Sequence, residues 1–334
     1  MTDRFAIAYD GMIAEGREPS EASYLVVSLG GELENWFVGM DDQRHPSILV
    51  QSRSAAGRQP PSIKLENLDV QFHIPCKIQS ANETINNAIC SVIRLNTTEP
   101  ATRDIFFSVC DSIVAMLGNN PKDSELSKAM RRLAAIFRKM LTPPSKTLSG
   151  LFGELTLIHQ ALLPHEIIRD WREADEDRYD FSSNDLKIEV KSTSTRRRVH
   201  EFAFEQCKPP IGALGLVASL FVERAARGTS IRELQTLIEA RLTGRPDAIL
   251  KLREVVAITL STSQNHVENV LFDLTLATES VTFFDLKEIP AIRDEPPQCV
   301  SQVRFVSDLA AATEVKIEAL SDSHPNLTAY LRNK

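Results

Sequence analysis

The spacing of hydrophobic residues changes twice along this chain, and those changes constrain its architecture more than any other feature. Up to about residue 96, apolar side chains come in short β-branched and aromatic runs, "SYLVVSL", "NWFVGM", "SILVQ", "LDVQFHI" and "AICSVIRL". Gly, Pro, Asn and Ser clusters separate most of them, as between strands. The period then becomes helical. Ile105, Phe106, Val109, Ile113, Met116 and Leu117 form one stripe, and Leu126, Met130, Leu133, Phe137, Met140 and Leu141 a second. "LTPPSKT" closes the second, because two prolines cannot continue a helix. A third stripe runs through residues 148 to 163, with Glu154 at its edge. From Phe181 the alternation of strands returns.

Later segments read in the same way. "LGLVASLFVER" is a continuous apolar run, short and glycine-containing, which predicts a buried central strand. "TSIRELQTLIEARLTG" predicts a helix with a capping box, Ser230 with Glu233, and a stop at Gly244. The tail returns to strands in "SVTFFDL" and "SQVRFVSDL". These readings predict an α/β chain with a β-rich domain at 1–96, a helical connector at 97–146, a core at 147–260 and an extension packed on that core at 261–334.

Chemistry concentrates in "RYDFSSNDLKIEVKSTSTRRR", residues 178 to 198. In "LKIEVK" the residues Leu186, Ile188 and Val190 point one way, and Lys187, Glu189 and Lys191 the other. "SSND" has the composition of a turn closing a hairpin. If Phe181 pairs with Leu186, Asp180 shares a face with Glu189 and lies diagonal to it; a slip of one residue would separate them. Two carboxylates on one face suit a hard divalent cation such as Mg²⁺, which is satisfied by one or two carboxylates, a backbone carbonyl and water. The carbonyl nearest to hand is that of Val190. A lysine two residues along the same face can orient a water and offset charge on a phosphate. By itself, Glu-x-Lys on a strand usually marks a solvated face, and a run of arginines a solvated loop.

The net charge of −7 argues against a general basic coat, so any contact with nucleic acid must come from a local patch, such as Arg196, Arg197 and Arg198, or from a partner. Cys76, Cys90, Cys110, Cys207 and Cys299 are odd in number and widely spaced, which predicts neither a zinc site nor a disulfide framework. GxxxxGK[ST] is absent, so no ATP hydrolysis is expected. No secretory signal or membrane-length apolar run is visible, and a cytoplasmic protein without membrane contact is expected.

The helix "GLFGEL", then "YD", then "IEVK", resembles the PD-(D/E)XK nuclease superfamily, whose restriction-endonuclease-like fold is a mixed sheet flanked by helices. More narrowly, the chain resembles a bacterial family of PD-(D/E)XK proteins linked to restriction and phage-defence gene clusters. That likeness includes "LENLDVQFHI", "LSGLFGEL", "IEVKST", "FEQC" and "IPAIRDEPPQCVSQVRFVSDLA". It implies that Asp180 and Glu189 bind metal, that Lys191 is the catalytic lysine, that Glu154 completes the site, and that Gln206 shares the pocket. Arg196, Arg197 and Arg198 would then grip phosphates beside the cut. Three departures stand out: Tyr179 replaces the proline of the motif, the spacing from Asp180 to Glu189 is short and demands a tight hairpin, and Pro209 and Pro210 interrupt any long helix from Gln206. The expected activity is Mg²⁺-dependent DNA endonuclease, with Mn²⁺ as a substitute, in antiviral defence. Expected partners are DNA, separately encoded methyltransferase or ATPase subunits, and a second copy of the chain, since cutting both strands takes two active sites. The alternative is a non-catalytic interaction subunit that keeps the fold.

Overall fold

The computed structural model describes residues 3–52, 59–80, 84–141, 147–172, 177–260, 270–320, 324 and 327 of an α/β chain. It divides into two compact units, Met1–Pro144 with Arg253–Thr262, and Ser145–Leu252 with Ser263–Lys334. The expected boundaries differ from this division. The helices expected as a separate connector group with the N-terminal strands, and the expected extension supplies strands to the second unit's sheet. Periodicity shows that a helix has an apolar stripe but not which partner covers it.

In the first unit, α1 (Arg4–Ala14) precedes β1 (Tyr24–Ser28), β2 (Trp36–Met40), β3 (Pro46–Val50), β4 (Ile63–Lys64), β5 (Leu68–Gln79) and β6 (Thr84–Leu95). Two long helices follow, α2 (Pro100–Leu117) and α3 (Asp123–Met140). The sheet order is β1-β2-β3-β6-β5-β4, and β1 also pairs with β5, which closes a ring of five strands. Neighbours are antiparallel except β1 and β5, because a closed ring with an odd number of strands needs a parallel contact somewhere. Val26, Leu49, Cys76, Ile78, Cys90 and Val92 pack together as one of its core clusters. The sequence reading missed α1: only Phe5, Tyr9 and Met12 are buried, so its stripe is short.

The second unit begins with α4 (Leu148–Gln160) and α5 (Pro164–Arg169). Then come β7 (Phe181–Ser182), β8 (Leu186–Thr193), β9 (Val199–Ala203), a 3-10 turn at Phe204–Cys207, β10 (Leu214–Phe221) and β11 (Arg224–Thr229). After α6 (Ile231–Ala240), the helix α7 (Pro246–Leu260) runs into the segment grouped with the first unit. The remaining elements are α8 (Leu274–Glu279), β12 (Thr282–Asp285), β13 (Arg304–Asp308) and β14 (Glu314–Val315). The sheet order is β14-β12-β10-β8-β7, with β8 and β10 parallel and the other neighbours antiparallel.

Each face of this sheet has its own cover. On one side, α4 packs through Gly153, where a Cβ would lie 3.4 Å from Val190, Ser192 and Leu220. On the other side lie Glu189 and Lys191, in register with Val217 and Ser219 of β10. That face is covered by the ribbon of β9 and β13, through Phe202 and Leu309 packed with Val217 and Phe284. The crossover between parallel β8 and β10 thus consists of a strand and a 3-10 turn, where an α-helix is the usual solution. Pro209 and Pro210 follow the turn and prevent its extension.

Candidate active site

The hairpin of β7 and β8 positions the carboxylates, with a register that corrects the expected one. Phe181 pairs with Ile188 and Ser182 with Lys187, two residues from the expected pairing of Phe181 with Leu186. A shift of two preserves parity, so Asp180 still shares the face of Glu189 and now stands directly opposite it. Within the four-residue loop, Ser183 N–H donates to the Leu186 carbonyl (2.9 Å). Both carboxylates are buried, Asp180 at 4% and Glu189 at 5% exposure.

Where β7 ends, side chains take over from the backbone ladder. Leu214 N–H bonds the Asp185 carbonyl and Val222 N–H the Thr193 carbonyl, so odd-numbered residues of β8 turn their polar backbone towards β10. Val190 therefore turns its amide and carbonyl towards the vacated edge. Its amide donates to Asp180 Oδ2 at 2.8 Å. This bond fixes the Asp180 carboxylate beside the Val190 backbone.

Lys191 lies against its own strand neighbour, with Nζ 2.8 Å from Glu189 Oε1. Nζ also donates to Gln206 Oε1 at 3.5 Å and sits 5.1 Å from the centre of the Phe202 ring. Gln206 is a hub of the 3-10 turn. Its Oε1 accepts from Ala203 N–H at 2.9 Å, and its Nε2 donates to the Arg178 carbonyl at 3.3 Å. The glutamine thus links the lysine to the segment that leads into Asp180. His200, two residues before Phe202, pairs Nε2 with Ser219 Oγ at 2.8 Å. Burial, with help from Lys191 and Arg198, pushes its pKa down to about 4, so the imidazole is neutral at physiological pH.

Glu154 is placed differently. It rides on α4, which covers the opposite face, and is 1% exposed. Its Oε2 accepts from Trp171 Nε1 at 2.7 Å and from Arg172 at 2.8 Å. Trp171 bridges to Phe181, and Arg172 N–H donates to the Asp180 carbonyl at 3.0 Å, so Glu154 supports the edge next to Asp180. Among the described residues no three His, Cys, Asp or Glu side chains converge as a metal-ligand group. The donor set that remains, Asp180, Glu189 and the Val190 carbonyl, consists of oxygens only and fits a hard divalent cation with water in its other positions.

The three arginines are separated by their environments. Arg196 pairs with Glu223, and Arg197 is exposed, 3.4 Å from Asp308. Arg198 is built into the sheet. It donates to the Ser219 carbonyl (2.7 Å), Ser219 Oγ (2.9 Å), the Ser280 carbonyl (2.7 Å) and Thr282 Oγ1 (2.8 Å), and its guanidinium stacks 4.6 Å above Phe221. The sequence reading missed Phe202 and His200, although the alternation of "VHEFAF" places them on one face. No spacing rule links Trp171 or Arg172 to Glu154.

A family model described as "Putative PD-(D/E)XK family member, (DUF4420)" matches residues 9–310. No curated protein and no solved structure matches the chain.

Proposed function

Because the chain belongs to this PD-(D/E)XK family, and so to a nuclease-like superfamily, we propose that it is a Mg²⁺-dependent endonuclease that hydrolyses phosphodiester bonds of DNA. The observation that carries the reading is the shared buried face of Asp180, Glu189 and Lys191, with Asp180 fastened to the Val190 amide. Asp180, Glu189 and the Val190 carbonyl would hold the cation, which when bound polarises a phosphate and acidifies a water. Lys191 carries the positive charge that orients the attacking water and offsets charge developing on the phosphate oxygens. Gln206 and the Phe202 ring keep its ammonium in place once Glu189 is drawn towards a cation. Glu154, Trp171 and Arg172 brace the edge on which Asp180 sits. The exposure of Arg196 and Arg197 supports these two of the three arginines as the ones that would meet DNA.

The family likeness supports a role in restriction or phage defence, with methyltransferase or ATPase partners and a pair of copies for double-strand cutting. The second reading, a non-catalytic interaction subunit, draws on the absence of a third ligating side chain beside Asp180 and Glu189 among the described residues. Plasmid DNA incubated with the protein and Mg²⁺ or Mn²⁺ decides between them. Cleavage should occur in the wild type and fall at least about 100-fold in Lys191→Ala and Asp180→Ala. Cleavage that persists in both variants refutes the assigned site. No cleavage by the wild type, alone or with its gene neighbours, supports the interaction subunit.

A further inference from the structure

The ribbon of β9 and β13 has one paired edge and one open edge on β13. Phe204 N–H donates to the Val303 carbonyl (2.9 Å) and Leu309 N–H to the Arg198 carbonyl (2.9 Å), so odd-numbered residues of β13 turn their backbone towards β9. Arg304, Val306 and Asp308 therefore turn theirs outward. Among the described residues no strand pairs with β13 on that side. The two faces of the strand differ as well. Phe305 stacks on Phe202, with ring centres 6.2 Å apart, and Ser307 is buried, whereas Arg304, Val306 and Asp308 stand in solvent. Val306, at the centre of the open edge, is 67% exposed. Such an edge is a template for another strand, and proteins that keep it single blunt it with lysines, proline or a bulge. Strand β13 has none of these; it carries one charge of each sign, placed two residues either side of Val306.

We propose that two copies of this chain join here, by antiparallel pairing of β13 with β13 about a two-fold axis at Val306. The second copy is the partner that the nuclease reading calls for, but the inference rests on the strand edge alone and stands whatever the chain cleaves. In this register Val306 exchanges both backbone bonds with its counterpart, and Arg304 lies opposite the partner's Asp308 on both sides of the axis. Opposite charges in facing positions stabilise a strand pair, and like charges destabilise it. A shift of two residues sets Arg304 against the partner's Val306 and loses both ion pairs. Parallel pairing in register brings like charges together. The charges on β9 extend the pattern. Arg197 lies 3.4 Å from Asp308 and Glu201 2.9 Å from Arg304. Each side of the axis thus carries a row of Arg197, Asp308, the partner's Arg304 and the partner's Glu201, alternating in sign. Strand β9 also holds Phe202, whose ring lies 5.1 Å from Lys191 Nζ, so the joined ribbon ties one candidate site to the other. Five residues from each copy make a small contact, so the dimer should be weak and form with rising concentration.

Sedimentation velocity on the full chain, without DNA or metal, tests the pairing over a series of protein concentrations. The wild type should pass from monomer to dimer. Arg304→Asp sets acid against acid and Asp308→Arg sets arginine against arginine, so each alone should dimerise at least about tenfold more weakly. Mixed in equal amounts, the two variants face each other with opposite charges and should associate as the wild type does. Val306→Pro should abolish the dimer, because it removes the outward N–H at the axis and spares the bonds from β13 to β9. Melting temperatures equal to that of the wild-type monomer would exclude unfolding as the cause. A wild type that stays monomeric at every concentration overturns the proposal. A dimer that survives Val306→Pro overturns it by moving the contact elsewhere. Single variants that fail to recover on mixing overturn it as well, because the register is then another. Cleavage is not part of the readout, so a chain that dimerises in this way but cuts no DNA loses the nuclease reading and keeps the interface.

Discussion

Asp111 is a carboxyl group with almost no access to water, at 1% exposure, in the first unit. Burial and the neighbouring Asp3 push its pKa up to about 7, against smaller pulls from Arg4, Arg253 and the Phe5 amide. Its folded-state pKa thus lies above the unfolded value near 3.8, so the folded chain holds the extra proton between those limits. Stability from this group is full below about pH 4, falls as pH rises towards 7, and is lost above it. Asp111→Asn should remove this dependence and stabilise the protein at pH 8, by on the order of 3 kcal/mol relative to wild type. Melting curves from pH 5 to 8 will show it as a gap that widens with pH; parallel curves would rule it out. Gly153 supports a second prediction. A Cβ there would make ordinary contacts at 3.4 Å, so Gly153→Ala should fit and gain about 1 kcal/mol of helix propensity. Gly153→Val, with two more carbons aimed at Val190 and Leu220, should lose more than that by overpacking. Chemical denaturation of both variants tests the pair.

Elements respond to the same forces over longer stretches. Arg198 ties β9 to β10 and β12 by four hydrogen bonds to Ser219, Ser280 and Thr282. Arg198→Ala leaves those acceptors without their donor and should cost about 3 kcal/mol, whereas exposed Arg197→Ala should stay within about 0.5 kcal/mol. Equal melting temperatures for the two variants would contradict this division of the arginine run. From composition the two residues look alike, because a charge run says nothing of which side chain folds inward. Strands β8 and β10 were legible because alternation and unbroken apolarity are local signals. The capping box at Ser230 and Glu233 was legible too, and both of its bonds form. Helix α7 and strand β11 were not: "RAARGT" is largely exposed, and its partner Phe272 lies far along the chain. The shared face of Asp180, Glu189 and Lys191 followed from parity, which survived an error of two in register. Glu154 depended on Trp171 and Arg172, contacts that only the tertiary fold creates.

At the scale of the whole molecule, a net charge of −7 opposes any polyanion, and the candidate site adds to that opposition. Lys191 pairs with Glu189 at 2.8 Å, and Asp180, bonded to the Val190 amide, adds a second carboxylate close to where a phosphate would arrive. Two like charges about 4 Å apart near a protein surface repel by about 4 kcal/mol, and charge further off by less. A bound divalent cation reverses the sign of that term and frees the Lys191 ammonium as well. DNA affinity should therefore rise with Ca²⁺ by about tenfold to 100-fold over EDTA at matched ionic strength, since 1.4 kcal/mol is tenfold. In the double variant Asp180→Asn, Glu189→Gln the dependence should vanish, with affinity in EDTA close to that of the Ca²⁺-bound wild type. Fluorescence anisotropy with a labelled duplex measures both. A wild type indifferent to Ca²⁺ would mean that Asp180 and Glu189 do not form a cation site that governs DNA approach. A double variant that still needs Ca²⁺ would move the site elsewhere on the chain.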